Sequence, residues 1–266
     1  MAQFELVPRS VPPVSTKYRR IATPIPVPGS SPTILLDAGA HAECAAPWLL
    51  QFAQMGAVLA IERYGIAQPR VGLLSIGEEE TKGNALVKEA HGLLKNGLHT
   101  GVFIGNVEGR DLTRFVADVV VCDAVLGNVV IKFFEGLSLY IFDLLRAEFY
   151  RSLRGKLAGL LFQPSISRIR AQFDYEVVGG SPLLGVNGTL IITHGSARRR
   201  MIWFALETTA RTVRERVNER IASSLGLDAE IGAAAPSSSG NDAATDEADA
   251  AQTVPAADSA DVAEGK

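Results

Sequence analysis

The sequence predicts an α/β fold: a mostly parallel sheet between helices, with a helical hairpin standing out from it. Three observations predict this. Short apolar runs alternate with stretches of helical spacing. Each run ends in a polar loop, most containing glycine, as the strands of an open parallel sheet do. Residues 129–173 then break the rhythm with a long, unusually apolar helical pattern that also carries arginines.

Residues 1–31 are rich in Pro, Ser and basic side chains (Arg9, Lys17, Arg19, Arg20), and Pro24, Pro26, Pro28 and Pro32 forbid a continuous helix. They read as an extended arm or linker. Thr33–Leu36 is a short buried strand ending at Asp37-Ala38-Gly39-Ala40-His41. Pro47–Tyr64 has helical spacing, and Ala53, Gly56, Ala57 and Ala60 allow it to lie close on a sheet. Val71–Ile76 is the next strand and leads into Gly77-Glu78-Glu79-Glu80-Thr81-Lys82-Gly83-Asn84, with a helix from Ala85 to Lys95. Val102–Gly105 is a strand followed by the loop Asn106–Asp111, and Val116–Cys122 is a strand ending at Asp123. Residues 124–128 form a turn, with a helix from Val129. Strand character returns between Leu183 and His194, and a final helix runs from His194-Gly195-Ser196 to about Ala222.

The chain has 266 residues and a formal net charge of -3, unevenly spread. From Gly226 onward there are nine acids and one lysine, a local balance of -8, so the preceding body carries +5 (-3 minus -8). The stretch 226–266 has no apolar runs to bury and reads as a disordered acidic tail. The chain before this tail is basic enough for an anionic partner and too weakly basic to argue for nucleic acid; residues 32–225 form its α/β domain. The two cysteines, Cys44 and Cys122, lack metal-ligand spacing and suggest no disulfide framework, so a reducing cytoplasm is the expected compartment; no metal or other cofactor is expected. No unbroken run of 18 apolar residues occurs, so no transmembrane helix is expected. The N-terminus carries no apolar core of signal-peptide type.

The loop 76–84 is the strongest candidate site. A strand end, a glycine-containing loop and a helix start offer free backbone N–H groups, and Lys82 adds a positive charge beside them. The Glu triplet reads as a charge cluster at a helix start rather than a metal site. Loops at Asp37, Asn106 and Asp123 follow the same strand-end pattern and would share one rim with it. Asp37 orients a lysine or binds substrate on one reading and caps a helix on the other. His194 is an acid/base or phosphate ligand on one reading and structural on the other. In 129–173, Phe133, Phe134, Leu137, Tyr140, Ile141, Leu144 and Leu145, then Leu153 to Phe162 interleaved with Arg151, Arg154 and Lys156, suit a membrane surface, a partner helix or a dimer core.

Taken together, several segments in this order resemble one family. They are Leu35–Ala40, Pro69–Leu74 with Ile76–Asn84, Phe103–Asp111, Ala117–Asp123 with Gly127-Asn128-Val129-Val130, and Gly179–Gly185 with His194-Gly195-Ser196. Over residues 33–222 the chain is similar to the PlsX family of phosphate acyltransferases of bacterial phospholipid synthesis. The resemblance implies a Rossmann-like three-layer α/β/α fold with a mostly parallel sheet and a protruding helical hairpin. It implies formation of acyl phosphate from acyl-acyl carrier protein and inorganic phosphate, without cofactor, by a cytoplasmic homodimer associated peripherally with the membrane through the hairpin. It places Lys82 and Asn128 at the catalytic positions. Asp37, Gly83, Asn84, Asn106, Asp123, Gly127, His194 and Ser196 are the candidate substrate-binding residues. The chain departs from the pattern in three ways: the family's usual N-terminal region and its motifs are not found, Ala124-Val125-Leu126 stands where Gly-Phe-Thr is common, and His41 stands where Asn is usual. The alternative reading is an inactive remnant or a partner-dependent subunit that keeps the dimer and membrane surface. A phosphotransacetylase-like enzyme acting on a small acyl-CoA is a third reading with the same chemistry.

Overall fold

Burial on both faces dictates the centre of the fold. Strands β2 (Thr33–Leu36) and β5 (Val119–Val121) are buried at every position, the mark of strands inside a parallel sheet covered on both sides. A computed structural model describes residues 20–40, 43–172, 180–193, 195 and 197–226. It adds β1 (Arg20–Ile25), β3 (Arg70–Leu74), β4 (Val102–Val107), β6 (Ser181–Leu184) and β7 (Ile191–Ile192) in one seven-stranded sheet of order β4-β3-β5-β2-β1-β6-β7. The pairs β4–β3, β3–β5 and β5–β2 are parallel, and β2–β1, β1–β6 and β6–β7 are antiparallel. Five strands, β2 to β6, therefore point one way, and β1 and β7 point the other.

Alternation along each strand splits the core into two layers. On one face Ile34, Leu36, Val71, Leu73, Val119 and Val121 meet helices α1 (Ala46–Tyr64), α2 (Ala85–Gly97) and α6 (Val217–Ser224). The small residues of α1, Ala53, Gly56, Ala57 and Ala60, are all buried, as their spacing suggests. On the other face Leu35, Leu74, Val107 and Val120 meet Leu112, Ala117 and the first turns of α3 (Ala124–Tyr150). Beyond those turns α3 leaves the sheet and pairs with α4 (Leu153–Gln172), which has no buried residue. Helix α5 (Arg199–Arg214) precedes α6.

The structure differs from the sequence reading in these places. Residues 20–25, read as part of an arm, form an interior strand between β2 and β6. The basic, proline-rich composition hides it for two physical reasons. The Arg20 charge is buried against Asp37, Nε to Oδ2 3.5 Å, with both side chains 1% exposed, and its guanidinium lies 4.2 Å from the Phe52 ring centroid and 5.2 Å from that of Trp48. Pro24 lacks an N–H, but β6 pairs only with Arg20 and Ile21, so β1 needs no donor there on that side. Second, β3 ends at Leu74, and Ile76 is 82% exposed in the loop. Third, α3 starts at Ala124 rather than Val129, because Asp123 caps it. Fourth, the last helix breaks at Arg216, where φ is 52°. Among the described residues one helix, α3, is long and apolar enough to cross a membrane by length and composition alone.

Asp37→Ala removes the carboxylate from a buried guanidinium, which is worse than never having had the pair. A loss of about 3–5 kcal/mol in unfolding free energy is expected, read as a lower urea midpoint at unchanged slope, with Arg20→Met combined with Asp37→Asn costing less.

Candidate functional site

The carboxyl ends of β4, β3, β5 and β2 lie side by side along one rim. The chain leaves β3 toward β4 at one edge and leaves β5 toward β6 on the other side. Neighbouring strands whose connections diverge in this way open a crevice at their carboxyl ends. The β3–α2 loop, carrying Lys82, and the β5–α3 junction, carrying Asp123, Gly127 and Asn128, are its two walls.

A turn places Lys82. Its backbone N–H donates to the Glu79 carbonyl at 2.9 Å, and the same carbonyl accepts from Asn106 Nδ2 at 2.8 Å. Gly83 has φ +100° and a Cβ there would lie 2.6 Å from Val87 Cγ1, so both backbone conformation and space call for glycine. Asn84 caps α2, its Oδ1 accepting from Val87 N at 2.9 Å. Asn84 and Asn106 were expected as substrate contacts. The Asn84 oxygen is instead committed to the helix and the Asn106 nitrogen to the loop. Beneath the loop, Ser75 Oγ and Asn106 Oδ1 are buried without a hydrogen-bond partner. The Lys82 side chain is exposed.

The Glu triplet is not a simple helix-start charge cluster. Glu78 reaches Arg110 (3.4 Å), Glu79 supplies the doubly bonded carbonyl, and Glu80 reaches Lys95 (3.2 Å). Arg110, Lys95 and Arg20 are the working residues that sequence reasoning missed. Arg110 and Lys95 are ordinary solvated charges in a sequence, and only the fold brings them to the rim.

The other wall is pressed against the β2 end. Asp123 Oδ1 accepts from Leu126 N at 2.9 Å and starts α3. A Cβ on Gly127 would lie 1.9 Å from the Asp37 carbonyl oxygen, so only glycine fits. Asn128 follows on the exposed side, with its Cβ and Oδ1 both 3.4 Å from where a Gly39 Cβ would stand. Asp37 is buried, and its Oδ1 accepts from the backbone N–H of Ile21, Gly39 and Ala40 at 3.0–3.2 Å. Burial pushes its carboxyl up and the Arg20 guanidinium down from their usual values, while the three N–H donors and Arg20 oppose the rise at Asp37. His194 and Ser196, like His41, lie outside the described residues.

Both cysteines are free. Burial pushes the Cys44 thiol up to about 11, with Arg20 opposing and the Asp123 and Asp37 charges adding to it. Burial raises the Cys122 thiol as well, and its Sγ lies 3.8 Å from the Asp37 carbonyl oxygen. A thiol held that high is no nucleophile at neutral pH. Among the described residues no group of three or more His, Cys, Asp or Glu is placed to hold a metal. The rim thus offers an exposed lysine, an exposed asparagine and a helix start, the donors that hold an anion and stabilise a developing oxyanion.

The sequence profile of the family described as fatty acid synthesis protein matches residues 14–220. The chain is 45% identical over 205 residues to a phosphate acyltransferase from Dictyoglomus turgidum, covering 77% of this chain and 61% of that protein. It is 46% identical over 208 residues to a phosphate acyltransferase from Syntrophotalea carbinolica, covering 78% and 59%. The chain therefore spans about three fifths of the length of these relatives. Among solved structures, a branched-chain phosphotransacylase from Enterococcus faecalis V583 aligns at a TM-score of 0.45 and 17% identity, covering 73% of this chain and 63% of that one.

The raised thiols generate a direct test. At pH 8 only about one Cys44 in a thousand is a thiolate, so iodoacetamide should label the folded chain far more slowly than the urea-unfolded chain. Labelling at Cys44, followed by mass spectrometry, should rise about tenfold per pH unit up to pH 10. Rapid labelling of the folded chain at pH 8 would contradict the raised thiol of half-buried Cys44.

Proposed function

We propose, since this chain belongs to the fatty acid synthesis protein family, that it carries the acyl-transfer rim of a phosphate acyltransferase. The substrates are acyl-acyl carrier protein and inorganic phosphate, and the products are acyl phosphate and the free carrier thiol. The observation that carries this reading is the divergence of the chain at β3 and β5, which sets the Lys82 loop and the Asn128 helix start on adjacent parallel strands.

A phosphate oxygen attacks the thioester carbonyl. The C–O bond forms, the carbonyl electrons move to oxygen, and on collapse the C–S bond breaks and the electron pair leaves with sulfur, which takes a proton. A thiolate leaves readily, so the chemistry needs little acid assistance. It needs phosphate held close and the oxyanion stabilised. In this reading Lys82 neutralises phosphate beside the first N–H groups of α2, and Asn128 donates to the oxyanion from the facing wall. No protein nucleophile takes part, in keeping with thiols held in their protonated form.

The α3–α4 hairpin serves, in the same reading, as the surface for a second copy and for the cytoplasmic face of a membrane. Tyr140, Leu144, Leu157, Leu160 and Leu161 are all exposed on it, beside Arg151, Arg154 and Lys156. One observation favours the partner-dependent alternative: Val102 and Ile104 are exposed on β4, the open edge of the sheet, where a further strand fits.

The test is acyl-phosphate formation by the purified chain, trapped with hydroxylamine. Lys82→Ala should lower kcat/KM about a hundredfold or more at unchanged thermal stability. A fully active Lys82→Ala enzyme would refute the assignment, and activity appearing only with a second polypeptide would select the partner-dependent form. For the hairpin, Leu160→Glu with Leu161→Glu should abolish co-flotation with vesicles of anionic phospholipid. Undiminished flotation would place the membrane contact elsewhere.

A further inference from the structure

We propose that Glu80, paired with Lys95 and seated beside the buried His91 ring, is the latch that sets the Glu79–Lys82 turn and makes Glu80 a positioning residue for Lys82. The kinetic part of this inference rests on the function proposed for Lys82, whereas the latch itself rests on geometry alone.

Glu80 Oε2 lies 3.2 Å from Lys95 Nζ, and Glu80 Oε1 lies 3.6 Å from His91 Nδ1. Lys95 and His91 are one turn apart on α2 and share a face. That helix is a rigid support: Ala90 and Leu94 are buried in the main core, and the His91 ring is itself buried, edge-on to Phe103 at 5.1 Å between centroids and 73° between planes. His91 Nδ1 is buried without a hydrogen-bond partner, and the Glu80 carboxylate approaches it just beyond hydrogen-bond range. Lifting the loop would take away that nearby acceptor, so the loop has one favoured seat on α2.

The turn is held on its other side too. Asn106 grips the Glu79 carbonyl from β4, and Arg110 draws Glu78 toward the next loop while also holding Glu108 at 2.9 Å. Glu80 is the tie on the α2 side, one residue past the doubly held carbonyl and two before Lys82. Glu80 and Lys95 are about 60% exposed, so their pair adds little to global stability. Its effect is local, and this separates a positioning role from a merely structural one. The sequence contains no hint of it: a Glu fifteen positions before a Lys is unremarkable until the loop folds back over the helix.

The experiment is amide hydrogen exchange of the full chain, followed over 77–83, in Glu80→Gln, Lys95→Met and Lys95→Arg. Glu80→Gln and Lys95→Met should each speed exchange in 77–83 about fivefold, leave the rest of the sheet unchanged and leave the urea midpoint in place. The double variant should be no faster than Glu80→Gln alone, because Glu80→Gln already removes the Lys95 contact, and Lys95→Arg should match the parent. In the acyl-phosphate assay the two disruptive variants should lower kcat/KM for phosphate by about the same factor while KM for the acyl donor stays put. Unchanged exchange over 77–83 in both variants would overturn the latch. Altered exchange in a chain that forms no acyl phosphate would uphold the latch and count against the proposed reaction instead.

Discussion

The buried pairing of Arg20 with Asp37 is the constraint on which the rest of the structure depends. A guanidinium and a carboxylate taken out of water cost less when each has the other nearby. Arg20 is met by Asp37 and by the faces of Phe52 and Trp48. Asp37 is met by Arg20 and three backbone N–H groups. These requirements pin the start of β1, the end of β2 and the first turns of α1 to one another. They also fix the turn at residues 37–40, against which Gly127 and Asn128 pack. A charge pair deep in the sheet thus sets the wall of the crevice.

The opposite wall is built differently. No buried charge holds the loop 76–84. It hangs from one carbonyl, that of Glu79, and from ion pairs at the surface. The contrast suits a rim in which one side is a donor array set by a buried pair and the other carries an exposed cation set by surface contacts. Loops of that kind sit at the low end of local stability in any fold, and their placement responds to small energies.

Much of this was legible in the residues. The unbroken apolar runs of β2 and β5 are what a doubly covered parallel strand requires, and the small residues of α1 announce a helix lying close on a sheet. The strand-end positions of Lys82, Asn106 and Asp123 follow from the same alternation. What did not show was the duty each polar group performs. Asp, Asn and Ser offer the same acceptors to a helix end as to a ligand, so the sequence alone does not show that Asp37, Asn84 and Asp123 hold backbone N–H groups. Strand β1 was hidden because a charge and a proline are poor advertisements for a sheet interior. The fold makes them acceptable through partners found at residues 37, 48 and 52. The start of α3 was misplaced by five residues although its cap, Asp123, was in plain view.

The position of β1 in the sheet has a consequence for how the chain is made. Its partner on one side, β2, follows within a dozen residues, so the hairpin and the Arg20–Asp37 pair can form as soon as both leave the ribosome. Its partner on the other side begins at Ser181, after the entire α3–α4 hairpin has been synthesised. Until then β1 is a strand with one unpaired edge beside a growing, strongly apolar pair of helices, an arrangement prone to non-native pairing. Pro24, which cannot donate to an intruding strand, sits on that edge throughout the wait. Read this way, the proline belongs as much to the nascent chain as to the finished one.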